Sequence, residues 1–269
     1  MSKYRELLEV IVSSSYESIT VHDYLMSLAD KCIILRHDVD RAVDRNLAMA
    51  RLEATYDIKS TYYFRHVKDV FLPDAIKEIA SMGHEVGFHY EVMDKAKGDK
   101  EKALEIFRKE LEDLRQYADV TTACMHGNPF AAWSNRDIWT NYDFRETGII
   151  GEPYFSLDYS RVLYLTDTGR TWADRNIRVK DVLDVDQDCM NSKLTKDVRS
   201  TDDVISLVRS EEFEQICILA HPNRWCDSIF GWTTEFVMQN FKNIGKAGII
   251  QYRKMTKGYE RASNISSNK

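Results

Sequence analysis

The chain has 269 residues, 43% hydrophobic and 30% charged, with Lys+Arg 37 against Asp+Glu 43. That length suits one large α/β domain, which buries enough surface to fold without disulfide staples. A net charge of −6, a pI near 5.7 and the lack of any basic block exclude a nucleic-acid footprint, and the apolar content excludes global disorder.

The amino terminus, MSKYRELLEVIVSSSYESIT, lacks the uninterrupted apolar core of a secretory signal because Glu9 breaks it, and no window reads as a membrane span. The five cysteines (Cys32, Cys124, Cys189, Cys217 and Cys226) are odd in number and form no CxxC pair. They read as reduced, mostly buried thiols, so the protein is expected to be soluble and cytoplasmic. Residues 1–30 are read as a helical extension packed on a barrel over 31–256. Residues 257–269 are read as a polar, disordered tail, in which the Asn264-Ile265-Ser266 sequon is a chance match.

Between these ends, short apolar runs alternate with helical periods. CIILRH (32–37) is a buried-strand pattern, and Leu47, Ala50 and Ala54 recur at helical spacing after it. TYYFRH (61–66) reads as a strand, followed by a helix with Pro73 at its start and Gly83 at its stop. HEVGFHY (84–90) is again strand-like, and Leu104, Phe107, Leu111 and Leu114 mark a helix over roughly 99–117. TTACMHG (121–127), the alternating segment around Val162–Leu165 and ICILAH (216–221) complete the strands. A short helix starts at Ser200 or Thr201, and another is expected near 233–245. Alternation of this kind predicts a parallel sheet covered by helices, and about six or seven βα units favour a barrel.

Five of the seven histidines are not scattered. His37, His66, His126 and His221 end predicted strands, and His89 lies on the last turn of another. In parallel α/β folds those ends form the active-site face. Asp38 and Asp40 are two apart, so on an extended backbone they face one side, where a cation would relieve their repulsion. The competing reading of this pair is a capped helix start. His89 and Glu91 share a face in strand geometry, a spacing suited to two ligands of one metal, and Gly87 is expected to let a backbone or substrate approach closely. Three further segments, Cys124–Pro129, Thr166–Trp172 and Leu219–Trp225, combine His, Asp and Arg with Trp133, Trp172 and Trp225. Aromatic faces rimmed by fixed polar groups suit a sugar ring.

The order of these pieces resembles the polysaccharide deacetylase (NodB-homology) family over roughly residues 30–225, in a divergent HDVD-type branch. The aspartate pair after the first strand, Gly83-His84-Glu85-Val86-Gly87 with His89 after the third, and Leu219-Ala220-His221-Pro222 after the last carry the likeness. The resemblance implies a distorted (β/α)7 barrel and metal-dependent hydrolysis of an N-acyl, or O-acyl, group on a sugar. It assigns Asp38 as catalytic base, Asp40 and His89 as metal ligands, His221 as the acid that protonates the leaving group, and Asp167 as the residue orienting His221. The chain departs from the family pattern in three places. Val39 separates the two aspartates, Met93 stands where a second histidine is usual, and His126-Gly127-Asn128-Pro129 replaces the Arg-and-Pro motif. A third ligand is therefore sought in Glu91 or His126.

The implied cofactor is a divalent cation, zinc first, with Co, Mn, Fe or Ni as alternatives. A backbone N–H near Gly127 or Asn128 is the expected oxyanion contact. His37, His66, Asn128 and Trp133 are read as substrate contacts, as are Arg170, Trp172, Arg224 and Trp225. The substrate expected in the cytoplasm is a sugar linked to a nucleotide or lipid, and homo-oligomerisation stays open. The competing functions are hydrolysis of another C–N amide such as a formamido sugar, and a metal-free sugar-binding protein that keeps the deacetylase fold.

Overall fold

The computed structural model describes residues 1–27, 29–168, 172 and 198–225. The helix expected near 233–245, the tail over 257–269, Cys189, Cys226 and Arg170 lie outside the described residues, as does the expected barrel boundary at 256. Among the described residues, seven strands form one parallel sheet: β1 (Glu17–Ile19), β2 (Cys32–Val39), β3 (Thr61–Phe64), β4 (Glu85–Tyr90), β5 (Ala123–Met125), β6 (Val162–Thr166) and β7 (Gln215–Ala220). The spatial order is β5-β4-β3-β2-β7-β6, curled into a half-barrel. β2 is central. Its residues Cys32–His37 pair with β7, while its other edge is shared between β1 at Cys32–Ile34 and β3 at Arg36–Val39.

The helices are α1 (Ser2–Ser13), α2 (Val21–Met26), α3 (Val43–Ala54), α4 (Pro73–Ser81), α5 (Val92–Lys95), α6 (Lys100–Arg115), α7 (Pro153–Ser156) and α8 (Thr201–Ser210). Pro73 in the first turn of α4 and the Ser200 capping box of α8 match their sequence punctuation. The amino-terminal segment does more than extend the half-barrel, because β1 within it is a strand of the sheet. Helix α1 buries Tyr4, Leu7, Leu8 and Ile11 and packs against α8. Each such aliphatic side chain withdrawn from water contributes about 1.5–3 kcal/mol.

Strand alternation divides the core in two. On the outer face, Ile33 and Leu35 of β2, Leu163 and Leu165 of β6, and Ile216 and Ile218 of β7 meet the buried faces of α1, α3 and α8. On the inner face, Cys32 and Ile34 of β2, Val162 and Tyr164 of β6, and Cys217 and Leu219 of β7 belong to a second cluster with Tyr154 and Tyr159. The inner face also carries the polar pair Arg36 and Asp38. Gly87 is needed for internal packing. A Cβ there would lie 2.3 Å from the Tyr63 ring of the paired strand β3 and 3.2 Å from the Thr122 backbone carbonyl, so the close approach is made by that ring and by a neighbouring backbone.

Candidate active site

Every strand that carries a candidate catalytic residue delivers it at the carboxyl end. Asp38 closes β2 with both oxygens held by Arg36, from Nε at 3.0 Å and Nη2 at 2.9 Å. Arg36 is fully buried and its guanidinium lies over the Tyr63 and Tyr154 rings, at 5.3 and 5.4 Å. Sequence reasoning passed over Arg36 as a site residue. Its position two before Asp38, on the same strand face, was the available signal.

Asp40 lies beyond the end of β2, after a tight turn in which its N–H donates to the Asp38 carbonyl at 3.0 Å. It does not cap α3, whose N-cap is Ala42 and has no side-chain cap. Ala42 holds a left-handed backbone (φ 51), and Asn46 Nδ2 pins this loop through the Arg41 and Ala42 carbonyls. A non-glycine residue in that region is strained, and such strain persists only where surrounding structure over-determines it.

Three side chains converge beside Asp38. His89 Nδ1 donates to the Cys124 carbonyl at 3.0 Å, which turns Nε2 inward to 3.6 Å from both Asp38 Oδ2 and Asp40 Oδ1. His126, just past β5, brings Nε2 to 3.6 Å from the same Asp40 oxygen, with its ring edge-on to His89. Asp40 Oδ1 is buried with no hydrogen-bond partner, as is His126 Nδ1. Both histidine nitrogens stand 3.6 Å from one Asp40 oxygen, against the roughly 3–3.5 Å between two donors that share one ion at about 2.0–2.1 Å. Among the described residues, no group of three or more His, Cys, Asp or Glu is arranged to hold a metal ion.

The charges are mutually dependent. Burial opposes ionisation of Asp40, but the His89 contact and the charges of His126 and His221 outweigh it and hold the carboxyl well below its usual range. Burial also opposes protonation of His89, which the nearby Asp38 and Asp40 carboxylates more than offset, raising its pKa. His126 is lowered, chiefly by burial, so its imidazole is neutral near pH 7, the form that binds metals.

Across the site, His221 Nδ1 donates to Asp167 Oδ1 at 2.6 Å. Asp167 also accepts from the His221 backbone N–H, from Arg224 Nη1 at 2.9 Å and from Trp225 Nε1 at 3.1 Å. Burial opposes its ionisation, and the Arg224 and His221 charges lower its pKa regardless. Arg224 and Trp225 are therefore occupied in holding Asp167.

Glu91 is the N-cap residue of α5 and no longer in strand geometry. Its Oε2 binds Arg65 Nη2 at 2.5 Å and lies 3.5 Å from His126 Nδ1. Burial opposes ionisation here too, and Arg65, His126 and Lys95 together keep the carboxyl below its usual range. Nothing in the local sequence marks Arg65, which was missed.

Four residues read as substrate contacts face elsewhere. His37 lies on the outer face of β2 with no exposure, against Glu53. His66 packs on Phe71 and binds Asp113 at 3.1 Å, beside α6. Trp133 donates to Asp94 at 2.7 Å and packs against Gly98. Trp172 is buried in the outer-face cluster and donates to Thr201. Asn128 lies two residues after His126, and its Oδ1 accepts from Phe130 N in a local turn. Met93 is buried in the apolar core. The chain matches no family model and no curated protein. No helix among the described residues is long and apolar enough to cross a membrane.

Proposed function

We propose that the protein is a metal-dependent hydrolase that removes an N-acyl group, acetyl in the first instance, from a sugar or sugar conjugate of the NodB-homology class. The observation that supports this reading is the meeting of Asp38, Asp40, His89 and His126 with the His221–Asp167 pair at the carboxyl ends of five strands. Asp40, His89 and His126 would be the residues to hold a divalent ion, which would supply Lewis acidity toward the acyl carbonyl and toward a water. Asp38, fixed by two Arg36 donors, takes the proton from the attacking water at a carboxylate oxygen. Asp167 accepts from His221 Nδ1, which leaves His221 Nε2 to carry the proton given to the departing amine. Backbone N–H groups near Gly127 and Asn128 are the donors proposed for the oxyanion.

The reading is tested on protein purified without chelator, by elemental analysis and by acetate release from N-acetylated sugars and their nucleotide conjugates. Near-stoichiometric metal that is lost in an Asp40→Ala, His89→Ala double variant, together with acetate release, is expected. Absence of metal after soaking in zinc, cobalt or manganese, with no acetate released, would overturn it in favour of a fold kept for binding.

A further inference from the structure

β3 lies between β2 and β4, the strands that lead to Asp40 and His89, yet it brings no ligand to the site. Arg65, the residue after its last, spans the gap. Its Nη1 donates to the Asp40 backbone carbonyl at 3.3 Å and its Nη2 to Glu91 Oε2 at 2.5 Å. The same Glu91 oxygen is the polar atom facing His126 Nδ1, at 3.5 Å, and His126 Nδ1 is buried with no hydrogen-bond partner. His126 thus stands with one ring nitrogen toward Asp40 and the other toward a carboxylate. His89 shows the same division, with Nε2 inward and Nδ1 on the Cys124 carbonyl. Histidines that bind metals use this arrangement, one nitrogen for the ion and the other N–H for an acceptor that fixes tautomer and ring angle.

We infer that Glu91 and Arg65 are a positioning pair, in which Glu91 orients His126 through Nδ1 and Arg65 ties that carboxylate to the loop carrying Asp40. Glu91 is then not a ligand. Its second oxygen is turned to Lys95 Nζ at 3.6 Å, and Lys95 is itself held by Glu110 at 2.8 Å. A buried carboxylate bound by Arg65 at 2.5 Å has little capacity left for a cation. The inference rests on reading Asp40, His89 and His126 as metal ligands, and it explains how a chain with Met93 in its core completes that set from β5.

The test uses the full chain and cobalt(II) as probe, with zinc in competition against a chromogenic chelator. Glu91→Gln is expected to weaken metal affinity about 10–100-fold while keeping one ion per chain at saturation and the same cobalt absorption spectrum. Asp40→Ala, which removes a ligand, is expected to change the spectrum or abolish binding. A Glu91→Gln protein with altered spectrum or lost stoichiometry would make Glu91 a ligand and overturn the inference. Unchanged affinity would overturn it as well. Nitrogen-15 NMR of the histidine rings in metal-free protein gives a readout that loss of packing alone does not move. His126 should carry its proton on Nδ1 in the wild type and lose that preference in Glu91→Gln, and an Nε2–H tautomer in the wild type would overturn the pairing. Should Glu91→Gln not fold, Glu91→Asp serves, keeping the charge and retracting it by one methylene, with an intermediate loss of affinity expected. Wild-type protein that takes up no cobalt or zinc would refute the proposed metal site, and the tautomer measurement would still decide the pairing.

Discussion

Consecutive residues of β2, His37 and Asp38, lie on opposite faces of the sheet in two buried charge clusters that differ in one respect. On the outer face Glu53 accepts from Tyr4, from His37 Nε2 at 2.7 Å and from Tyr62 at 2.7 Å, while His37 Nδ1 meets the Ala220 carbonyl at 3.2 Å. Every polar side-chain atom of Glu53, His37, Tyr4 and Tyr62 has a partner within the cluster. On the inner face Asp40 Oδ1, Arg36 Nη1 and Arg65 Nε are buried without one. Buried polar groups are costly unless satisfied, so a closed network reads as structure and an open one as capacity kept for a ligand.

The largest expected effect is on the closed side. Glu53→Ala leaves three buried donors without their acceptor and should cost about 3–5 kcal/mol in urea unfolding. A loss under about 1 kcal/mol would remove the distinction between the clusters. Acid sharpens the same test. Burial opposes ionisation of Glu53, but the charge and hydrogen bond of His37, the charge of His84 and the Tyr4 hydroxyl overcome it and lower its pKa. A carboxylate depressed in the folded state contributes stability above its unfolded pKa and loses it as pH falls through the folded one. The stability gap between wild type and Glu53→Gln should therefore narrow on acidification below the ordinary carboxylate range, and a constant gap would contradict the assignment.

Tyr62→Phe deletes one donor to the charged acceptor and should cost about 1.5–3 kcal/mol by thermal unfolding. The smallest stability change is expected on the open side. Asp40→Ala should stay within about 1 kcal/mol of wild type, or exceed it, because functional residues are often not optimised for stability. A loss on the scale of Glu53→Ala would make the inner cluster another structural network.

Much of this comparison could be read along the chain, and some of it was misread. The alternation that puts Asp38 inward requires His37 to face outward, so its side of the sheet was legible in the period of two, while its partner Glu53 was not. Gly87 was correctly marked as a point of close approach, but which group approaches depends on its β3 partner, Tyr63. His66, Trp133 and Trp172 follow strands or lie in site-like segments, and their composition could not reveal Asp113, Asp94 and Thr201 as their partners. Arg65 had no sequence signal at all, since its role comes from the gap between β2 and β4.

The sequence by itself determined the alternation of strands and helices, the burial of the β2 and β7 runs, and the gathering of His and Asp at strand ends. These depend on periodicity and on punctuation by Pro, Gly and Ser, which act within a few residues. Only the tertiary structure decided that His126 stands beside Asp40, that Arg65 joins Glu91 to the Asp40 carbonyl, and that residue 93 belongs to the core. Those outcomes turn on where each strand stops and how the sheet curls. Asp40 follows a tight turn, Glu91 opens a helix, and neither keeps the strand geometry by which a side chain's direction can be counted from its neighbours.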